Sequence, residues 1–303
     1  MSRTLARLAA RTIRATGAID AAYRRFDSVR SMVVARFAPD AVLDAFNDVT
    51  YGATDVYKPD APIYRSGLFN WEGEAIGRAF PSAPARVLVG GAGGGREAFA
   101  LADRGYDVVA FDPSERLVES MAAHASTPAA GRGRVDALLG RYEDLPRLRT
   151  AGAESSTVDL RQRPPFDAAL LGWASYSHLR QRQHRILALR QIGALTAGPV
   201  LVSFYLGRDT KPRTRRSRLA RRLGFDGLDR FTTHIGYYHL SMPDELRHEA
   251  REAGLQVLVE SLDDSDGRWP YLVLRRSESS DQKSAAGIVH SPTEARSGES
   301  RRT

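Results

Sequence analysis

Residues 86–98 read RVLVGGAGGGREA, where five glycines and one alanine fill six consecutive positions directly after an apolar run. Glycine loses more conformational freedom on folding than any other residue, so chains concentrate it where the backbone turns sharply or something lies against it. An apolar strand, a glycine turn and a helix start form a cradle whose backbone N–H groups can meet a nucleotide-like ligand. A phosphate-binding P-loop must end in Gly-Lys-Ser/Thr, because the lysine and the hydroxyl serve phosphate and magnesium. Here Gly95 is followed by Arg96-Glu97, which excludes it. The dinucleotide pattern G-x-G-x-x-G, started at Gly91 and Gly93, meets Arg96 where its last glycine belongs. What fits is Gly91-x-Gly93-x-Gly95.

The surrounding pattern sets the fold class. RVLV (86–89), DVVAF (107–111), VDALL (135–139), FDAALL (166–171) and GPVLVSF (198–204) read as short apolar strands. Helical segments follow at about 96–104, from about 114 and at 180–196. Such alternation, with strands apolar throughout, predicts an α/β protein with a doubly wound, mostly parallel sheet covered on both faces. Residues 151–165 read as a polar loop. The end of the chain breaks the rhythm. A helix over 242–255, with Ser241 as its cap and Gly254 as its stop, leads into LQVLVES (255–261) and YLVLRR (271–276). Only a polar turn separates those two strands, which makes them an antiparallel hairpin. Residues 1–80 form an N-terminal helical cap or lid, 81–276 the main domain, and the polar stretch 277–303 a disordered tail.

Composition narrows the function classes. The chain has 303 residues and no cysteine, which excludes disulfides, thiolate nucleophiles and cysteine metal sites. Lysine is confined to Lys58, Lys211 and Lys283, an arginine-heavy usage that reads as bacterial and, without a secretory signal, cytoplasmic. No stretch approaches the ~20 apolar residues of a membrane span. The net charge of +8 is uneven: residues 1–36 carry eight arginines against Asp20 and Asp27, and KPRTRRSRLARR (211–222) has no acid at all. Nucleic acid or another acidic partner could use such patches, but no aromatics interleave the basic run, so solvated helix faces are the favoured reading. The oligomeric state is left open.

Asp112 closes the strand DVVAF, where an acid can accept hydrogen bonds from ribose hydroxyls. Either a nicotinamide dinucleotide or S-adenosylmethionine would use it. From these residues on, the chain resembles the class I S-adenosylmethionine-dependent methyltransferases over about 70–276. VLVGGAGGGRE resembles the family's first motif, AFDPSERLVESM its second, LGRYEDLP (139–146) its adenine-flanking segment and FDAALLGWASYSHL (166–179) its fourth-strand motif. The terminal hairpin matches the family's antiparallel seventh strand and separates the fold from dinucleotide-binding ones.

The resemblance implies a seven-stranded Rossmann-like methyltransferase fold with S-adenosyl-L-methionine as cofactor. It places Gly90, Gly91, Ala92, Gly93, Gly95, Asp112, Pro113 and Gly172 around that cofactor, with the Tyr142 backbone and Glu143 at the adenine. Tyr64 and Arg65 are candidates for the methionine carboxylate, Arg65 equally for a surface role. Val89 and Arg141 stand where the family commonly has acids. His178 and Tyr176 are the candidate catalytic residues, although His178 could equally hold the loop by hydrogen bonding. Trp173, Tyr237, Tyr238 and His239 are candidates for the acceptor pocket, a strand with one buried face being the other account of the last three. His234 and His239 lack an acidic partner in sequence, so no metal site is expected. The implied activity is in-line methyl transfer to a small-molecule O- or N-acceptor. The alternatives are an RNA or protein methyltransferase docking through 1–36 and 211–222, and a non-catalytic S-adenosylmethionine-binding protein.

Overall fold

Val87, Leu88 and Val89 have no solvent exposure at all, as expected of a strand covered on both faces. They belong to β1 (Arg86–Gly90), the centre of a nine-stranded sheet. The computed structural model describes residues 22–23, 26–53, 55–58, 61–126, 132–150, 152, 156–208, 228–265 and 267–277. The basic run 211–222, the N-terminal arginines before residue 22 and the tail beyond Ser277 lie outside them.

From β1 the chain runs through β2 (Asp107–Asp112) and β3 (Val135–Leu139) on one side, then returns to β6 (Ala168–Leu171) and β7 (Val200–Ser203) on the other. All these pairs are parallel, with Gly90 beside Phe111 and Leu171. The order therefore reverses between β1 and β6, and the crevice at their carboxyl ends is where an open α/β sheet binds its ligand. β12 (Tyr271–Arg276) pairs antiparallel with both β7 and β11 (Leu255–Ser261), so the hairpin read from sequence forms that edge.

Two strands lengthen the opposite edge. β4 (Arg147–Thr150) and β5 (Thr157–Asp159) form an antiparallel hairpin on β3, so the sheet has nine strands instead of seven, and part of 151–165 is strand instead of loop. Three residues with one apolar side chain carry almost no periodicity, and the anchor is the next residue, Leu160, which is 1% exposed.

Side chains alternate between the two faces. Leu88 packs with Ile186, Leu189, Leu246 and Ala250 from α7 (Arg182–Leu195) and α8 (Pro243–Glu252). Val87 and Val89 pack with Trp71, Phe99, Leu101 and Met121 from α4 (Asn70–Ala79), α5 (Arg96–Ala102) and α6 (Glu115–Ala125). Val89 thus points into the core and not into the crevice. Helix α8 starts after Met242, not Ser241, and Glu245 accepts a hydrogen bond from the Met242 N–H at 3.4 Å. Gly254, at φ +80°, ends it as expected.

A second, three-stranded sheet joins β8 (Tyr205–Leu206), β10 (Gly236–Ser241) and β9 (Asp229–Thr232). Helix α1 (residues 26–37) and α2 (Asp40–Ala53) lie against it, with Ala35, Leu43, Phe231 and Tyr237 forming a small core. The same helices reach the rim of the main sheet. Asp44 pairs with Arg141 after β3, and Asp40 with Arg180 after β6. The short α3 (Pro62–Arg65) leads on towards α4.

Candidate active site

The glycine loop crosses the crevice at the end of β1. Gly91, Gly93 and Gly95 all have positive φ (63°, 55° and 94°), a region that side-chain-bearing residues rarely adopt. A Cβ on Gly91 would lie 2.3 Å from Ser175 Cβ, and one on Gly93 would lie 2.5 Å from the Tyr64 hydroxyl. Gly90 answers a different need. The rings of Phe111 and Tyr142 stand 2.8 Å from where its Cβ would be, so this glycine makes room for protein packing and not for a ligand. Gly172 lets the loop after β6 approach closely, and its N–H donates to the Gly90 carbonyl at 2.8 Å.

Asp112 braces this loop. Its Oδ2 accepts from the Gly93 N–H at 2.8 Å and its Oδ1 from the Ser114 N–H at 3.0 Å. The carboxylate is 8% exposed and stands at the tip of β2, in the switch-point crevice. Beside it a cleft of about 370 Å³ is lined by Pro113, Leu139, Gly140, Arg141 and Asp144, with Arg147, Arg149 and Thr157 from the added hairpin. Glu143 does not line that cleft. It turns to His184 of α7, 3.6 Å away, while the Tyr142 ring is buried and its hydroxyl meets Ser175 Oγ at 2.7 Å. On the other flank Tyr64 accepts from the Gly94 N–H at 3.2 Å, and Arg65 is exposed on α3.

Arg96, the residue that breaks the dinucleotide pattern, is 3% exposed and forms a hub behind the loop. It binds both oxygens of Glu72 at 2.6 Å, Glu97 Oε1 at 2.6 Å and the Gly67 carbonyl at 2.9 Å, with the Phe69 ring 4.0 Å from its guanidinium. Glu97 in turn accepts from the Trp173 N–H at 3.1 Å. One guanidinium thereby ties α4, α5 and the loop after β6 together. Burial opposes its charge, but Glu97 and Glu72 more than restore it, while burial and Glu97 hold the Glu72 carboxyl above its usual range.

The loop after β6 carries His178. It begins with Ala174 in the left-handed region (φ 54°), a strained conformation for an alanine, fixed by a 2.9 Å hydrogen bond from its N–H to Ser203 Oγ. His178 Nδ1 lies 2.7 Å from the Tyr237 carbonyl, which can only accept, so Nδ1 carries the proton and Nε2 the lone pair. Nε2 faces the Tyr51 hydroxyl at 3.4 Å, whose proton goes to the Ile235 carbonyl at 2.7 Å. Burial lowers the pKa of His178, outweighing the carbonyl's opposite effect. The imidazole is therefore neutral at neutral pH, with its lone pair available.

Three expected site residues stand elsewhere. Tyr176 has no exposure, and its hydroxyl donates to Glu249, which is clamped by Arg185 at 2.7 Å. It is a core residue of the α7–α8 face and cannot reach a substrate at the crevice. Tyr237 donates to Asp229 at 2.6 Å, turned away from the crevice. His239, far from lacking acids, sits between Asp229 at 2.8 Å and Glu245 at 3.1 Å. Tyr237 and His239 share the buried face of β10 and Tyr238 the other, the alternation of a strand with one covered side. Among the described residues no group of three or more histidines or carboxylates is arranged to hold a metal ion, and no helix is long and apolar enough to cross a membrane.

Burial alone would lower the pKa of His239, but the hydrogen bonds to Asp229 and Glu245 raise it. A raised histidine pKa stabilises the fold below the ordinary value of about 6.5, and this stabilisation is lost as the pH rises through the folded-state value. His239→Gln should therefore melt furthest below the wild type near about pH 6 and close the gap above about pH 8. A gap constant across that range would exclude a charged imidazole.

Around His178 the structure gathers aromatic side chains, of which Trp173 and Tyr238 are expected from the sequence and Tyr51, Tyr57, Tyr205 and Trp269 are not. Tyr51 packs edge-on to Tyr57 (4.8 Å between centroids) and to His178 (5.8 Å). Tyr205 lies 5.0 Å from Tyr238 and 5.4 Å from Trp269, which meets Trp173 at 5.5 Å. Tyr205 stands two residues past the end of β7, so an aromatic at the carboxyl end of a parallel strand was the available signal. For Tyr51, on a helix before the first strand, there was none.

No protein-family model matches the sequence, and no curated protein matches it. Solved structures do. The CcbJ methyltransferase from Streptomyces caelestis is 19% identical, covering 76% of this chain and 99% of its own, with a TM-score of 0.51. A 1,6-didemethyltoxoflavin-N1-methyltransferase from Burkholderia thailandensis, solved with 1,6-didemethyltoxoflavin and S-adenosylhomocysteine bound, is 20% identical over 78% of this chain and 88% of its own (TM-score 0.51). An S-adenosylmethionine-dependent methyltransferase from Methanosarcina mazei is 13% identical over 70% and 100% (TM-score 0.50). At these identities the likeness is one of fold.

Proposed function

We propose that this chain, whose fold is that of the class I methyltransferases, binds S-adenosylmethionine across the carboxyl ends of β1, β2, β3 and β6 and methylates a small molecule. The observation that carries this reading is Asp112. Its carboxylate stands at the switch point and holds the glycine loop by one oxygen, and its neighbour Pro113 lines a cleft of about 370 Å³. The residues present fit the cofactor. Asp112 would take the ribose hydroxyls, Pro113, Leu139 and Gly140 would flank the adenine, and the backbone of Gly91, Ala92 and Gly93 would meet the methionine part, with Tyr64 beside its carboxylate.

When bound, the cofactor supplies a methyl group already activated on a sulfonium, so transfer to a hydroxyl leaves the protein one proton to remove. His178 Nε2 takes that proton, because its lone pair is unprotonated and faces the Tyr51 hydroxyl, which gives its own proton to the Ile235 carbonyl. Ser203 and Tyr237 hold the loop and the ring so that no reorganisation is needed at the moment of transfer. Helices α1 and α2 serve as a cap that keeps water out, with Tyr51 reaching from α2 to His178.

Asp112→Ala is expected to weaken S-adenosylmethionine binding by about 1–3 kcal/mol, the cost of stranding hydrogen-bonding partners. Calorimetric titration measures it, with circular dichroism showing that the variant is folded. Unchanged affinity in the folded variant would remove the ribose assignment.

A further inference from the structure

We infer that the aromatic cluster around His178 is an acceptor site for flat, uncharged aromatic hydroxyl compounds that also carry hydrogen-bond-accepting oxygens, such as a catechol with a neighbouring carbonyl. The inference rests on the methyltransferase reading and names the substrate class of that site.

Three observations converge. The first is geometry. Trp173 follows β6, Tyr205 follows β7, and Trp269 precedes β12, which runs antiparallel beside β7, so all three stand at the carboxyl end of the sheet. Tyr238 joins them from β10, and Tyr51 and His178 close the other side. Trp173 directly follows Gly172, whose N–H donates to the Gly90 carbonyl at 2.8 Å, so the cluster adjoins the glycine loop of the proposed cofactor site. Edge and face contacts at about 4.5–7 Å are how aromatic rings hold one another and a flat guest.

The second is charge. Of these six side chains none is ionised at neutral pH. Burial raises the pKa of Tyr51 and Tyr205, Tyr205 to about 12, and lowers that of His178. The ions beside these walls are Arg96 and Glu97 behind Trp173, committed to each other and to Glu72, and Arg230 opposite Tyr238 on β9, whose guanidinium reaches Ser28 Oγ at 3.3 Å. An uncharged guest is matched by such walls, whereas a carboxylate or phosphate finds no cation among them.

The third separates a phenol-like guest from an amine. The indole N–H groups of both Trp173 and Trp269 are buried without a hydrogen-bond partner among the described residues. Buried donors are nearly always satisfied, so two orphans in one cluster call for an accepting ligand. An indole only donates. An ammonium group has no lone pair to offer these two donors, although aromatic rings would attract it. Oxygens on the guest satisfy them, and His178 Nε2 is the one side-chain nitrogen in the cluster able to receive the guest's hydroxyl proton.

The test is a calorimetric titration of the full chain with 3,4-dihydroxybenzaldehyde, and in parallel with benzylamine and with choline, each with and without S-adenosylhomocysteine. Saturable binding of the dihydroxy compound alone is expected. Trp173→Phe and Trp269→Phe, which keep a ring and remove the N–H, should each weaken it about tenfold while leaving S-adenosylhomocysteine affinity unchanged. Binding of choline or benzylamine in preference to the dihydroxy compound, or unchanged affinity in both variants, would overturn the assignment. The two readings fail separately. If the dihydroxy compound binds and S-adenosylhomocysteine does not, the methyltransferase reading falls and the aromatic site stands. If the cofactor product binds and the dihydroxy compound does not, only the substrate class falls.

Discussion

Replacing Arg96 with leucine is expected to destabilise the protein by about 3–5 kcal/mol, because two carboxylates buried in the interior lose the cation they share. Glu72 is fully buried and Glu97 is 3% exposed, so neither can recover its hydration. The damage should not stay local. Arg96 joins α4 to α5, and through Glu97 it fixes the backbone of Trp173 at the start of the loop that carries His178. Urea denaturation measures the loss, and a companion variant makes the cause specific. Adding Glu72→Gln and Glu97→Gln to Arg96→Leu removes the stranded charges and should recover part of the stability. A loss below about 1 kcal/mol for Arg96→Leu alone would mean that the hub does not hold these elements together.

His178→Gln is expected to lower kcat by about 10²–10⁴-fold with a hydroxyl acceptor, the usual contribution of a positioned general base. Glutamine can still donate to the Tyr237 carbonyl, so the loop geometry survives while the basic nitrogen is lost. Cofactor affinity should stay the same. The pH profile adds a signature that a structural histidine would not give. Burial lowers the folded-state pKa of His178, so the wild-type rate should stay flat as the pH drops to about 6.5 and decline only below it. In His178→Gln that acid limb should vanish. Full turnover in the variant across the pH range would show that His178 holds the loop and nothing more.

The sequence made the sheet legible because its central strands are apolar on both faces, as Val87, Leu88 and Val89 show. The terminal hairpin was equally clear, since only the polar turn LDDSDGRWP parts its strands. The β4–β5 hairpin was not, because its strands are short and its anchor, Leu160, follows them. At the site, the glycine loop and Asp112 declare themselves by conformation and position along the chain. Side-chain direction does not. Tyr176 and His178 are two residues apart in one loop, yet one hydroxyl enters the Glu249–Arg185 cluster and the other ring faces Tyr51. Arg96 read only as a mismatch to a motif, since nothing local announces that Glu72, 24 residues earlier, folds onto it. The aromatic cluster was hidden for a similar reason. Tyr51, Tyr205 and Trp269 come from distant segments and share no spacing.

One site, at the carboxyl ends of β1, β2, β3 and β6, is proposed to place S-adenosylmethionine between Asp112 and His178. A crystal structure with S-adenosylhomocysteine bound tests it most directly. The ribose hydroxyls should lie on the Asp112 carboxylate, the adenine beside Pro113 and Leu139, and the sulfur towards His178 and Tyr51. A ligand bound away from Asp112, or a sulfur turned from His178, would contradict it.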